Sequence, residues 1–234
     1  MEKWIDAARL TAFVGHAGSG KTEIAINTAL ALAELGHPFA LADLDIVDPY
    51  FRCRRCKELI EKKGGRLIAS SQEAMDADLP SMPPEVFALF DNPGLYGVMD
   101  IGGDPSGARV LARYRRQLQE CGARMLCVVN GNRPLSDTAE KAAEYVRRIE
   151  ETAGMKIDGL INNTHCCHLT SVDDIRQGAA LTHEVSVVTG IPVVCHAVPQ
   201  NLAAQASDFV YPIFPMKLYM RKPWEQAPAE ERSI

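Results

Sequence analysis

No apolar run in the 234 residues approaches the ~18 residues that a membrane-spanning helix needs, so no span is expected. The first ten residues carry Glu2, Lys3 and Asp6 and lack a long apolar core, which argues against a secretory leader. Basic residues are not in excess: Lys and Arg number 25 against 30 Asp and Glu, for a net charge of −5. Nucleic acid is thereby disfavoured as the main partner, because neutralising phosphates along a strand needs a basic surface or patch. A single small anion held in a local pocket is not disfavoured. Internal repeats and low-complexity tracts are absent. Cysteines number 7, an odd count without a leader, which reads as reduced thiols in a cytoplasmic protein.

What is present is the composition of an ordinary globular protein, 47% apolar and 24% charged. At about 150 residues per domain the length lies between one domain and two. The reading adopted is one domain over residues 1–222 and a polar tail over 223–234. Apolar β-type runs (10–14, 39–47, 66–69, 97–100, 125–130, 159–162 and 193–197) alternate with helical patterns (23–35, 54–63, 108–120, 136–152 and 173–189). A turn or two of helix is expected at 85–90, inside an irregular, proline-rich stretch at 70–96. Ser136 or Asp137 is the expected cap of the 136–152 helix. Such alternation implies right-handed crossovers and a mostly parallel sheet with helices on both faces. Runs such as Leu126-Cys127-Val128-Val129 suit strands buried on both sides.

The sharpest motif is Gly15-His16-Ala17-Gly18-Ser19-Gly20-Lys21-Thr22, a full match to G-x-x-x-x-G-K-[ST] between a strand and a helix. Gly15, Gly18 and Gly20 let the chain curl, so that successive amides, Ser19 included, point at phosphate oxygens. The new helix adds the partial positive charge of its N-terminus. Lys21 is expected to reach the β- and γ-phosphates, and Thr22 to offer a hydroxyl to Mg2+. A nucleoside triphosphate is the implied ligand. Asp43 and Asp45 alternate at the end of the second strand and share one side of it. Asp100 ends a later strand before Gly102-Gly103. Strand-end acids sit where parallel sheets bind ligands. Asp100 suits Mg2+ or its water, and the Gly103 amide suits a γ-phosphate.

The phosphate loop, the Asp43-Leu44-Asp45 pair and Asp100-Ile101-Gly102-Gly103 together resemble the MinD/ParA/CobQ-type P-loop ATPases, relatives of the nitrogenase iron protein. The segment from Asp43 to Phe51 is most like a little-characterised bacterial branch of that set. The resemblance covers roughly residues 9–200 and implies a three-layer P-loop NTPase fold of the α/β class. It also implies roles for matching positions. Asp43 stands near Mg2+, Asp45 orients or deprotonates the attacking water, and Asp100 is the Walker-B acid. Adenine is met by Asn162, or Asn163 beside it, and by Val198, Pro199 and Gln200. Many members carry a lysine that reaches across a nucleotide-sandwich homodimer; here that position is His16. Guanine readers of neighbouring classes use N-K-x-D, and Asn162-Asn163-Thr164-His165 and Asn130-Gly131-Asn132-Arg133 both lack its Lys and Asp. ATP is therefore expected over GTP.

Other clusters have weaker claims. Cys53 and Cys56, with Cys166 and Cys167 near the same sheet edge, offer soft ligands for a zinc or nickel centre, and the competing reading is incidental packing. Arg109, Arg113, Arg115 and Arg116 read as a solvated face. The mixed segment 214–224, broken by Pro215 and Pro223, reads as a final strand and tail rather than a membrane-binding helix. The expected activity is Mg2+-dependent ATP hydrolysis that switches binding of a protein partner. The alternatives are a ligase or kinase resembling dethiobiotin synthetase, acting on a small-molecule co-substrate, and an NTPase that matures metal centres.

Overall fold

The computed structural model describes residues 3–45, 53–69, 83–103, 105–206 and 208–220. Residues 46–52, the 70–82 part of the irregular 70–96 stretch and the polar tail lie outside them.

Eight strands form one sheet: β1 (Leu10–Val14), β2 (Phe39–Leu44), β3 (Arg66–Ala69), β4 (Tyr96–Ile101), β5 (Arg124–Val129), β6 (Gly159–Asn162), β7 (Val193–Pro199) and β8 (Ile213–Met216). Their order is β3-β2-β4-β1-β5-β6-β7-β8, and every neighbouring pair is parallel. Among the described residues the helices are α1 (Lys21–Glu34), α2 (Lys57–Lys62), α3 (Phe87–Asp91), α4 (Pro105–Arg113), α5 (Arg115–Glu120), α6 (Ala139–Ala153) and α7 (Val172–Thr189).

Strand parity sorts side chains into two cores, because successive residues face opposite sides of a sheet. Leu10, Ala12 and Val14 join Met99, Ile101, Met125 and Val129 on the side of α6. Phe13, Leu41, Val98, Leu126 and Ile161 join Ile24, Ile26 and Ala29 of α1 on the other. Sheet and two helical layers give the three-layer α/β architecture expected for the motif. Its strand order reverses direction around β1, which opens a crevice at the carboxyl edge there. On the side of α1, Asp43 shares the parity of Leu41, and Asp100 that of Val98. The two aspartates are register partners on adjacent strands.

Three local expectations are corrected. The single helix expected over 108–120 is two, broken at Tyr114 (φ −109, ψ 15), whose ring is buried against Phe87 and Phe90. Helix α6 is capped by Thr138, which accepts from the Lys141 amide at 3.3 Å. The Ser136 hydroxyl is spent instead on the Asn130 carbonyl, to which it donates at 2.7 Å. Residues 53–56 form a 3-10 turn before the shorter helix α2.

Candidate functional site: a phosphate loop and an adjoining cleft

The loop from Gly15 to Gly20 lies at the carboxyl end of β1 and runs straight into α1. Gly18 (φ 76) and Gly20 (φ 86) hold left-handed geometry that other residues rarely adopt. At Gly20 a side chain would also collide with the amide of Asn163. The loop is closed internally by the Ser19 amide, which donates to the His16 carbonyl at 3.0 Å. Lys21 Nζ donates to the same carbonyl at 3.1 Å, so the ammonium lies folded over the loop although its residue is 5% exposed.

Donors from the loops after β5 and β6 brace this turn from outside. Asn130 Nδ2 and Arg133 Nε donate to the Gly18 carbonyl at 3.2 and 3.0 Å, and Asn163 Nδ2 donates to the Ser19 carbonyl at 2.7 Å. The Gly18 and Ser19 carbonyls are thus held by these donors, and the Ser19 amide, expected to face phosphate, is instead engaged by the His16 carbonyl. The sequence offered no signal for Asn130 or Arg133 beyond their place after a strand.

Beside the loop stand the carboxylates of β2 and β4. Thr22 Oγ1 donates to Asp100 Oδ2 at 2.7 Å, and Cys53 Sγ donates to the same oxygen at 3.3 Å. Asp100 Oδ1 is buried with no hydrogen-bond partner among the described residues. Burial is the main force raising the Asp100 carboxyl to about 7, with Asp43 adding to it and Lys21 and Thr22 opposing. A hydroxyl, a carboxylate edge short of positive charge and an unsatisfied oxygen fit a divalent cation. Among the described residues no three His, Cys, Asp or Glu are grouped to hold a metal alone. Such a cation therefore suits the Mg2+ pattern of few protein ligands completed by phosphates and water.

Asp45 lies beside Gly102, where an added Cβ would meet its Oδ1 at 3.1 Å. Gly103 lies against the phosphate loop itself: a Cβ there would meet the Ala17 amide nitrogen at 2.8 Å and Lys21 Nζ at 2.9 Å. The Gly103 carbonyl accepts from Tyr145 Oη at 2.6 Å, and the Tyr145 ring lies 5.2 Å from that of His16. The loops after β1, β2 and β4 thus converge, bringing together Gly15, Gly18, Ser19, Gly20, Lys21, Thr22, Asp43, Asp45, Asp100 and Gly103.

The expected base-binding residues divide. Asn162 is fully buried and committed elsewhere: its amide donates to the Ile175 carbonyl at 3.2 Å and meets His196 Nδ1 at 3.3 Å, while its oxygen accepts from the Thr164 amide. Val198 is also fully buried, in a small cluster with Ile175 and Ala206. Pro199 and Gln200 instead line an open cleft of about 500 Å³, shared with Cys167, His168, Leu202 and Leu218. Among the described residues no Asp or Glu lines this cleft. At its inner end, a space of about 20 Å³ reaches Gly20, Glu23, Asn163 and His165. Leu202 and Leu218 are cleft residues that the sequence reading missed, and Cys167, expected as a metal ligand, lines the cleft instead.

The four-cysteine centre is not formed. Cys53 and Cys56 are buried in the core of the α1 face, whereas Cys166 is exposed and accepts from Asn132 Nδ2 at 3.1 Å. Burial, reinforced by the charges of Asp100 and Asp43, pushes the Cys53 thiol far up, and burial pushes Cys56 to about 11. Among the described residues no three His, Cys, Asp or Glu come together around any of these thiols.

Neither a scan against models of protein families nor a search of curated proteins gave a significant match. Among solved structures, the chain is similar to the cell division protein FtsY of Thermotoga maritima: TM-score 0.56, 18% identity, 81% of this chain and 61% of that one. It is similar also to FtsY of Mycoplasma mycoides (0.52, 16%, covering 80% and 59%). The signal recognition particle receptor FtsY of Elizabethkingia anophelis, solved in complex with GDP, is a third (0.53, 15%, covering 82% and 57%). The chain spans about three fifths of the length of these proteins. At such identities the likeness is one of fold, and it is the P-loop NTPase fold. These neighbours are FtsY proteins rather than MinD/ParA proteins, so what the chain shares with them is the fold.

Proposed function

We propose that this chain binds Mg-ATP at its phosphate loop and hydrolyses it to ADP and phosphate, as a cytoplasmic switch of the MinD/ParA kind that engages a protein partner. The convergence of Lys21, Thr22, Asp45, Asp100 and Gly103 on one loop is the observation that carries this reading. Loop amides and the Lys21 ammonium hold the β- and γ-phosphates. Thr22 and Asp100 would hold Mg2+, with Asp43 beside them. When bound, that ion neutralises charge on the phosphates. Asp45 aligns a water and takes its proton as the water oxygen bonds to the γ-phosphorus and the bond to the β–γ bridging oxygen breaks. The open part of the cleft carries no Asp or Glu among the described residues, and Glu23 at its inner end is engaged by the Tyr219 and Met220 amides, which favours adenine, since guanine's N–H edge asks for a carboxylate. Gly103, tied to α6 through Tyr145, and Gly102, packed on Gly107 of α4, give loss of the γ-phosphate a route to the surface. The ring of His16 lies against Tyr145 of its own chain, which favours a site completed without a lysine from a second copy.

The test is single-turnover hydrolysis by Asp45→Ala. Nucleotide affinity should stay within about twofold while turnover falls by about 100-fold or more, the scale of a lost general base. Normal hydrolysis by this variant removes Asp45 from the mechanism.

A further inference from the structure

We propose that residues 216–220 form the nucleoside-side wall of the cleft, and that Glu23 and Asn27 of α1 latch this wall to the phosphate loop. The inference rests on the nucleotide reading of the site and adds to it a binding element far off in sequence. Glu23 directly follows Thr22, and Asn27 lies one turn further along the same face of α1. Asn27 grips the backbone of Lys217 from both sides: its Nδ2 donates to the Lys217 carbonyl at 2.8 Å, and its Oδ1 accepts from the Lys217 amide at 3.0 Å. The same Nδ2 also donates to the Glu23 carbonyl at 2.8 Å, which fixes the amide's orientation. The Glu23 carboxylate accepts from the Tyr219 amide at 2.9 and 3.0 Å and from the Met220 amide at 2.6 Å. Three of the four strap residues from Lys217 to Met220, all but Leu218, are thus held by their backbone amides.

What the latch holds in place is the cleft. Met216, Lys217 and Leu218 line it together with Pro199 and Gln200. The Gln200 amide donates to the Met216 carbonyl at 2.9 Å, so the β7 loop and the strap form one hydrogen-bonded wall. Tyr219 and Met220 pack against the core of the α1 face and anchor its far end. Met216 and Leu218 also border the inner space beside Gly20, where the cleft meets the phosphate loop. Apolar Leu218 and Pro199 suit the faces of a purine, and the exposed Lys217 ammonium suits hydroxyl or ring-nitrogen acceptors of a nucleoside. The first two turns of α1 therefore serve both ends of the ligand, with Lys21 and Thr22 for phosphate and Glu23 and Asn27 for the wall.

The experiment compares Mg-ATP with inorganic tripolyphosphate, which has no nucleoside, by calorimetry on the full chain. Two variants are used: Glu23→Ala/Asn27→Ala, which opens the latch, and Leu218→Asp, which leaves it intact and spoils the wall. Both should bind Mg-ATP about tenfold more weakly and tripolyphosphate within about twofold of the parent, as expected for losing charge-assisted hydrogen bonds or apolar contact at one end of a ligand. Should the latch variant unfold, Leu218→Asp decides alone. Parental ATP affinity in the variants overturns the wall. Equal losses for ATP and tripolyphosphate also overturn it, because the latch would then serve the phosphate loop only. If the parent chain binds tripolyphosphate and ATP equally, the nucleoside wall fails while the phosphate site stands; if it binds neither, the proposed function fails and the wall with it.

Discussion

The two ends of the site are built on different terms. At the phosphate end, Lys21, Asp43 and Asp100 are almost wholly buried, and the loop is fixed by glycine geometry and by three braced carbonyl contacts. At the base end, a cleft of about 500 Å³ is walled by segments from three places in the chain, and Leu218 is 39% exposed. The first end is preorganised for charge, which needs fixed donors in a dry setting. The second is an open surface whose shape depends on how neighbouring loops are tied down. On the proposed nucleotide reading, affinity for phosphate is set locally, whereas choice of base is set by distant parts of the fold.

Substitutions can break that contrast. The largest effect is expected for Lys21→Ala, which should lower affinity for ATP and for tripolyphosphate together, by about 100-fold or more, as a charge-assisted contact to both terminal phosphates is lost. Calorimetry with both ligands measures it; a loss confined to ATP would place Lys21 at the wrong end. Next is Gly103→Ala. Its Cβ would press on the backbone of Ala17, which cannot yield as a flexible side chain does. Turnover should fall by about tenfold while ADP affinity barely changes, because the loop after β4 is asked to meet only the γ-phosphate. A matching loss of ADP affinity would show instead that the whole phosphate loop had shifted.

The smallest effect is one of pH, and involves His165 at the inner end of the cleft and His196 outside it. Burial lowers both His165 and His196 to about 4 from 6.5, with Arg133 adding to the effect at His165. Each ring is neutral in the folded chain and protonates more readily when unfolded. Their share of stability is therefore present above about pH 6.5 and lost as pH falls toward 4. Thermal unfolding should have a flat midpoint above that window and a falling one below it, and His196→Gln should flatten the acid limb. An unchanged limb would remove His196 from the account.

The same contrast decides what could be read before the structure. The phosphate loop is legible because its function is a backbone shape with obligatory glycines, contiguous over Gly15–Thr22. Asp43 and Asp100 are legible because strand parity and position at the carboxyl edge are local properties, and the register pairing of β2 with β4 then sets them side by side. Braces such as Arg133 on Gly18, and the strap held by Glu23, join residues 115 and 196 positions apart. No periodicity encodes such pairs. Asn162 illustrates the reverse failure: the end of β6 was placed correctly, yet its side chain turns to Ile175 and His196 rather than to the cleft. The cysteine clusters fail for the same reason, since nearness to one sheet edge says nothing about which core receives each thiol.

The most direct test of the account is a titration of the full chain with Mg-ATP and Mg-GTP under identical conditions. The account predicts saturable binding of one nucleotide per chain, tighter for ATP and lost in Lys21→Ala. Tighter binding of GTP, or no binding of either, would contradict it.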